Sequence, residues 1–62
     1  MIALHRAGGR LVVLNADMIE TVEQDEEGTT VVTLTTGNVV AVTETPDAVR
    51  EAAVAYRRSI AR

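Results

Sequence analysis

Apolar and polar residues alternate along most of this chain, and the places where alternation fails say most about its shape. Ile2 and Leu4 share one face of an extended run, which predicts a first strand over 1–6. Ala7-Gly8-Gly9 follows as a turn, because glycine takes positive φ without steric cost, and it reads as the bend of a hairpin. A phosphate-binding role for the glycine pair is disfavoured because no helix follows it. The second strand is predicted over 10–14. Its four successive apolar residues, Leu11-Val12-Val13-Leu14, predict burial on both faces, within the fold or at a partner. Asn15-Ala16-Asp17 stops that run. Asn and Asp side chains accept hydrogen bonds from amides two residues on and so start turns. Asn15 is equally suited to cap a single helical turn over 16–19.

A third strand over 19–24 carries an internal conflict, since Glu20 and Gln24 fall formally on the inward face of Val22. Either a bulge intervenes, or Met18 and Ile19 belong to the turn and point inward from there. Residues 25–28 then form a hairpin loop. Its three adjacent carboxylates lack the interleaved spacing of a calcium loop, so they read as a solvated turn. Thr29 to Thr35 is rich in β-branched residues and predicts a fourth strand over 29–35. After the turn at Thr36-Gly37-Asn38, a fifth strand is predicted over 38–44. Thr45-Pro46-Asp47 opens a helix over 46–61, with Thr45 as cap, Pro46 at the first helical position and Asp47 at the positive dipole end. Val49, Ala52, Ala53, Tyr56 and Ile60 form its apolar stripe, and Arg50, Val54, Arg57 and Arg58 lie across from it. The fold class expected is mainly β: a five-stranded curled antiparallel sheet, or partly open small barrel, with one C-terminal α-helix. Residues 1–62 are expected to form a single domain. Its sheet edges need cover, and valine-rich edges invite pairing with another copy.

Composition sharpens this picture. The chain has 62 residues, no cysteine, one histidine and one aromatic residue, Tyr56. A core this small, filled only by aliphatic side chains and without disulfide or zinc support, predicts self-association, so a homo-oligomer is expected. The amino-terminal apolar run is too short for a signal peptide, and no segment approaches the ~20 apolar residues of a membrane span. The expectation is a cytoplasmic protein. Charge is uneven: residues 1–48 hold eight acids against two arginines, a balance of −6, whereas 49–62 hold four arginines against Glu51, a balance of +3. The acidic body argues against nucleic acid, while the basic helix face leaves room for a peripheral membrane contact.

Candidate chemistry is sparse. Nucleophilic catalysis needs a nucleophile beside an oriented base. His5 lies in a strand, the only serine, Ser59, lies near the end of the helix, and the paired carboxylates cluster in turns and on an exposed strand face. No catalytic residue, metal site or cofactor is expected, and the chain reads as a non-enzyme.

Several segments carry a family resemblance. Leu14-Asn15-Ala16-Asp17-Met18-Ile19-Glu20 matches the pattern L-N-x-[DE]-x-I-E, Leu34 with Thr36-Gly37 matches L-x-x-G, and Val42-x-Glu44 matches V-x-E before the helix. Over essentially its whole length the chain resembles the FlbD/SwrD family of small bacterial flagellar and swarming-motility proteins. It departs from the family at Gln24 to Gly28, where Pro-Asp-Thr is frequent, and at Thr45-Pro46-Asp47, where the family's helix opening is Glu-rich. The resemblance implies an accessory role in flagellar motility through contacts with motor or basal-body proteins, and no catalytic residues. The motif residues Leu14, Asn15, Asp17, Ile19 and Glu20 are then expected to fix the crossing between two sheet layers, with Asp17 and Glu20 open to a partner. Arg50, Val54, Arg57 and Arg58 are the candidate interaction face. The alternative is a small RNA-binding regulator similar to the carbon storage regulator family, whose opening L-T-R is similar to Leu4-His5-Arg6. That family's basic V-H-R-E segment is here Val42-Thr43-Glu44-Thr45, with an acid in place of the arginine.

Overall fold

A computed structural model describes residues 1–60. Five strands run β1 (Ile2–His5), β2 (Leu11–Leu14), β3 (Ile19–Gln24), β4 (Thr30–Leu34) and β5 (Val39–Val42), followed by α1 (Pro46–Ile60). The last position of the expected helix, residue 61, lies outside the described residues. The chain is mainly β with antiparallel pairing throughout, but its strands form two sheets rather than one. β1 pairs with β2, and a separate sheet has the order β3-β4-β5.

The three hairpins share one turn. In each, the first turn residue donates its N–H four residues ahead and its carbonyl accepts from a glycine three residues ahead. Arg6 N–H reaches Arg10 O at 2.7 Å and Gly9 N–H reaches Arg6 O at 2.7 Å. Asp25 with Gly28 and Thr29, and Leu34 with Gly37 and Asn38, repeat the arrangement. Gly9, Gly28 and Gly37 have φ of 91°, 86° and 93°, the left-handed conformation that a three-residue hairpin loop demands at this position. In the middle loop Asp25 Oδ1 also accepts from the amides of Glu27 and Thr29, each at 2.9 Å, so backbone groups occupy that carboxylate.

β2 and β3 are consecutive but not paired, and this divides the expected single sheet. A 3-10 turn over Ala16–Met18 separates them, capped by Asn15, whose Oδ1 accepts from Asp17 N–H at 3.0 Å. Both readings of Asn15 hold together: its side chain accepts from the amide two residues on, as in an Asx turn, and by doing so caps the helical turn. A two-strand hairpin needs its chain to reverse, and this corner turns it into a second layer instead. Among the described residues the backbones of the two sheets pair at one bridge, between Arg6 and Val42, through Thr43 N–H to His5 O at 2.8 Å and Ala7 N–H to Ala41 O at 3.2 Å. They form an open two-layer fold rather than a closed barrel.

Between the layers lies the core: Ile2, Leu4 and Leu14 from the hairpin, Ala16 from the corner, Val32, Val40 and Val42 from the second sheet, and Val49 from the helix. Register follows the pleat, with Leu4 opposite Val12 and Val32 between Val22 and Val40. The outer face of β2 is not covered within the fold, so of the burial expected within the fold or at a partner the fold provides only part. Leu11 is 62% and Val13 56% exposed, so the fold itself buries only one face of that apolar run. The helix starts as its sequence indicates. Thr45 Oγ1 accepts from Ala48 N–H at 3.1 Å and Pro46 takes the first position. Val49 is fully buried, and Ala52, Ala53 and Tyr56 pack against the core, but Ile60 is exposed. The apolar stripe is longer than the sheet that could cover it. Among the described residues no helix is long and apolar enough to cross a membrane.

Candidate functional site

The corner and the helix together build a groove of about 380 Å³. Ala16, Ile19, Val22, Val49 and Ala53 supply its apolar surface, and Arg50, Val54 and Arg57 line it from the helix. The walls come from separate parts of the sequence. Asn15 caps the turn that presents Asp17 outward, and a bulge between Ile19 and Thr21 displaces Glu20 from the ladder. The conflict between Glu20 and Val22 is thereby relieved, since the extra residue lets Ile19 and Val22 both turn inward. Met18 secures the corner against β4. Its carbonyl accepts from Thr35 N–H at 2.7 Å, and Thr35 Oγ1 donates to its Sδ at 3.5 Å.

The structure places the motif residues in two roles. Leu14 is buried in the core, Ile19 is half-buried beside it, and Asn15 holds the turn through its side chain. Asp17 and Glu20 are exposed. Asp17 meets the helix directly, with Arg57 Nε 3.8 Å from its Oδ1. At such an exposed pair the ionic contribution is small, ~0–1 kcal/mol. Of the helix face, Arg50, Val54 and Arg57 line the groove, while Arg58 sits with Arg50 and Val54 on a second, adjoining surface. Two turns of helix thus bring Arg50 and Arg57 beside an apolar floor, with Arg57 opposite the acidic corner.

Glu44 is the residue whose role the sequence did not reveal. It sits just beyond β5, and its carboxylate accepts the His5 backbone N–H at 3.0 and 3.1 Å. His5 Nδ1 lies 2.8 Å from Glu44 Oε2, close enough for the ring N–H to donate as well. The His5 amide is the first group past the single bridge between the sheets, so Glu44 continues the seam where strand pairing stops. Its only signal is the short spacing Val42-x-Glu44, and the partner lies 39 residues away. The His5 amide, then the His5 ring, hold the Glu44 carboxyl below its ordinary value of 4.5. A lowered carboxylate pKa means that the folded state prefers the ionised form. The stabilisation is complete above the ordinary value and is lost as pH falls through the lowered one. Glu44→Gln is therefore expected to cost about 1 kcal/mol at neutral pH. The gap between the two proteins should close on acidification below 4.5, as followed by urea melts across pH. A gap that persists unchanged in acid would show that the charge is not what holds the seam.

For chemistry the arrangement offers an apolar groove bordered by arginines. The His5 ring is directed to Glu44, and Ser59 lies in the last turn of the helix; among the described residues no hydrogen bond joins the two. A family model described as FlbD, flagellar and swarming motility proteins, matches residues 1–61. No curated protein and no solved structure matches the chain.

Proposed function

Because the chain belongs to the FlbD family of flagellar and swarming motility proteins, we propose that it is a non-enzymatic, cytoplasmic accessory factor. In this reading it acts on the flagellar motor or its assembly by binding a motor or basal-body protein. The observation that carries the reading is the groove beside α1, where an apolar floor is bordered by Arg50 and Arg57. Desolvated aliphatic surface supplies affinity, and arginines at the border supply orientation and association rate toward an acidic surface. The rest of the body is acidic, so this basic face is where an acidic partner would be drawn. The RNA-binding alternative draws no support from this geometry. Glu44, which replaces the arginine of that family's motif, is engaged at the seam with His5.

Deletion of the gene in its host should impair swarming, and the wild-type gene should restore it. Arg57→Glu with Arg58→Glu is expected to leave the fold intact, because both side chains are exposed and the Arg57–Asp17 contact is weak. Partner affinity should fall about tenfold and the fall should lessen in high salt. Circular dichroism checks the fold and swarm expansion checks function. A doubly reversed protein that is folded, normally abundant and fully able to restore swarming would remove this face from the mechanism.

A further inference from the structure

The two sheets end in free edges that the chain treats differently. β3 is interrupted by the bulge at Ile19/Thr21, carries Glu20 and Glu23, and packs beside α1. Such features discourage pairing with another strand. β2 has none of them: between Arg10 and Asn15 it is Leu11-Val12-Val13-Leu14, without charge, proline or bulge.

The direction of its unpaired groups follows from the register. His5 faces Leu11, and the His5 carbonyl points away from β2 to accept from Thr43 N–H at 2.8 Å. Its cross-strand neighbour Leu11 therefore directs N–H and C=O away from β1, and so does Val13, two residues on. Leu11 and Val13 also carry the exposed apolar side chains of this strand, at 62% and 56%.

We infer that β2 is a self-pairing edge: two copies of this chain join antiparallel, β2 against β2, about a twofold axis through Val12. In that register Leu11 of one copy lies opposite Val13 of the other, twice. The four outward N–H and C=O pairs all find partners, and the two Val12 side chains meet at the axis. A four-stranded sheet β1-β2-β2-β1 results, with Leu11 and Val13 of both copies in one apolar strip. Charge favours the same arrangement. The start of one β2, at Arg10, is brought toward the end of the other, where the Asn15 corner carries the exposed Asp17, whose contact with Arg57 of its own chain is loose at 3.8 Å. A four-residue edge buries less than the ~1,200 Å² of a standard stable complex, so the dimer should be weak and concentration-dependent. This surface lies on the hairpin and not on the helix face, so it can fail without affecting the motility reading, and the reverse holds too.

Sedimentation of the full chain over a micromolar to ~500 µM series should show a monomer–dimer equilibrium, as befits a small interface. Hydrogen exchange gives the residue-level readout. The Leu11 and Val13 amides should exchange freely in the monomer and gain at least tenfold protection as the dimer fills, while the amides of Val12 and Leu14 stay protected throughout. Val13→Asp should weaken the dimer at least tenfold and leave the monomer's circular dichroism unchanged. Leu11→Lys serves the same purpose if Val13→Asp loses its strand signal. A protein monomeric over the whole range overturns the inference. So does a closed oligomer other than a dimer, a dimer in which Leu11 and Val13 stay unprotected, or one that is insensitive to both substitutions.

Discussion

Val49→Asp is expected to release α1 and with it most of the cooperative fold. Val49 is fully buried, and it is the one buried residue of a fifteen-residue helix. The half-buried Ala52, Ala53 and Tyr56 continue its stripe but have less to offer, two of them being alanines. An isolated helix of this length is marginal in water, so its order depends on docking rather than propensity. Among the described residues a carboxylate placed at position 49 has no buried cation to meet. Leaving such a charge uncompensated costs roughly 3–5 kcal/mol, about all that a core in a chain of this size supplies. Far-UV circular dichroism should lose the helical component at room temperature, and any remaining thermal transition should fall by about 15 °C or more. A variant with its helical signal and melting temperature intact would mean that the helix is held elsewhere along its length.

The second large effect is expected at Leu4. It is 2% exposed, lies opposite Val12, and belongs to the cluster that joins the hairpin to the second sheet. Leu4→Ala removes three heavy atoms from a site walled by strands on fixed backbones. It should cost about 3 kcal/mol, the middle of the range for buried leucine. Leu11→Ala is the matched control, the same substitution across the hairpin on an exposed face. It should cost under ~1 kcal/mol in dilute solution. Urea midpoints for the two variants, with an unchanged slope, decide the matter. Because strand side chains alternate, a one-residue slip in the hairpin would exchange their roles. Equal losses at Leu4 and Leu11 would overturn the register described above.

That comparison shows where pattern reading reached its limit. Leu11-Val12-Val13-Leu14 reads as a strand buried on both faces, within the fold or at a partner, and the fold supplies one of those faces: Leu14 is buried and Val12 half-buried. The run cannot reveal that its other face has no neighbouring layer within the chain, because that depends on where the second sheet is placed. The corner at Asn15 was legible as a break, and Asn15 was legible as a cap. That it separates two sheets instead of bending one was not, since adjacent pairing is the default for short connections. The groove shows the same division. Arg50, Val54 and Arg57 fall on one helix face by spacing alone, but Ile19 and Val22 join them only because the bulge at Ile19/Thr21 turns both inward.

Local chemistry in the sequence determined the elements. β-branched alternation made the strands, glycine at the fourth position closed each hairpin, and Thr45 with Pro46 started the helix, because these effects act within a few residues. Membership of the FlbD family follows from the same one-dimensional pattern. Only the tertiary structure decided the division into two sheets, the Glu44–His5 seam across 39 residues, and the free edge of β2. Each of these depends on which groups remain unpaired after the layers meet, and that is fixed by the meeting of distant segments rather than by any one of them.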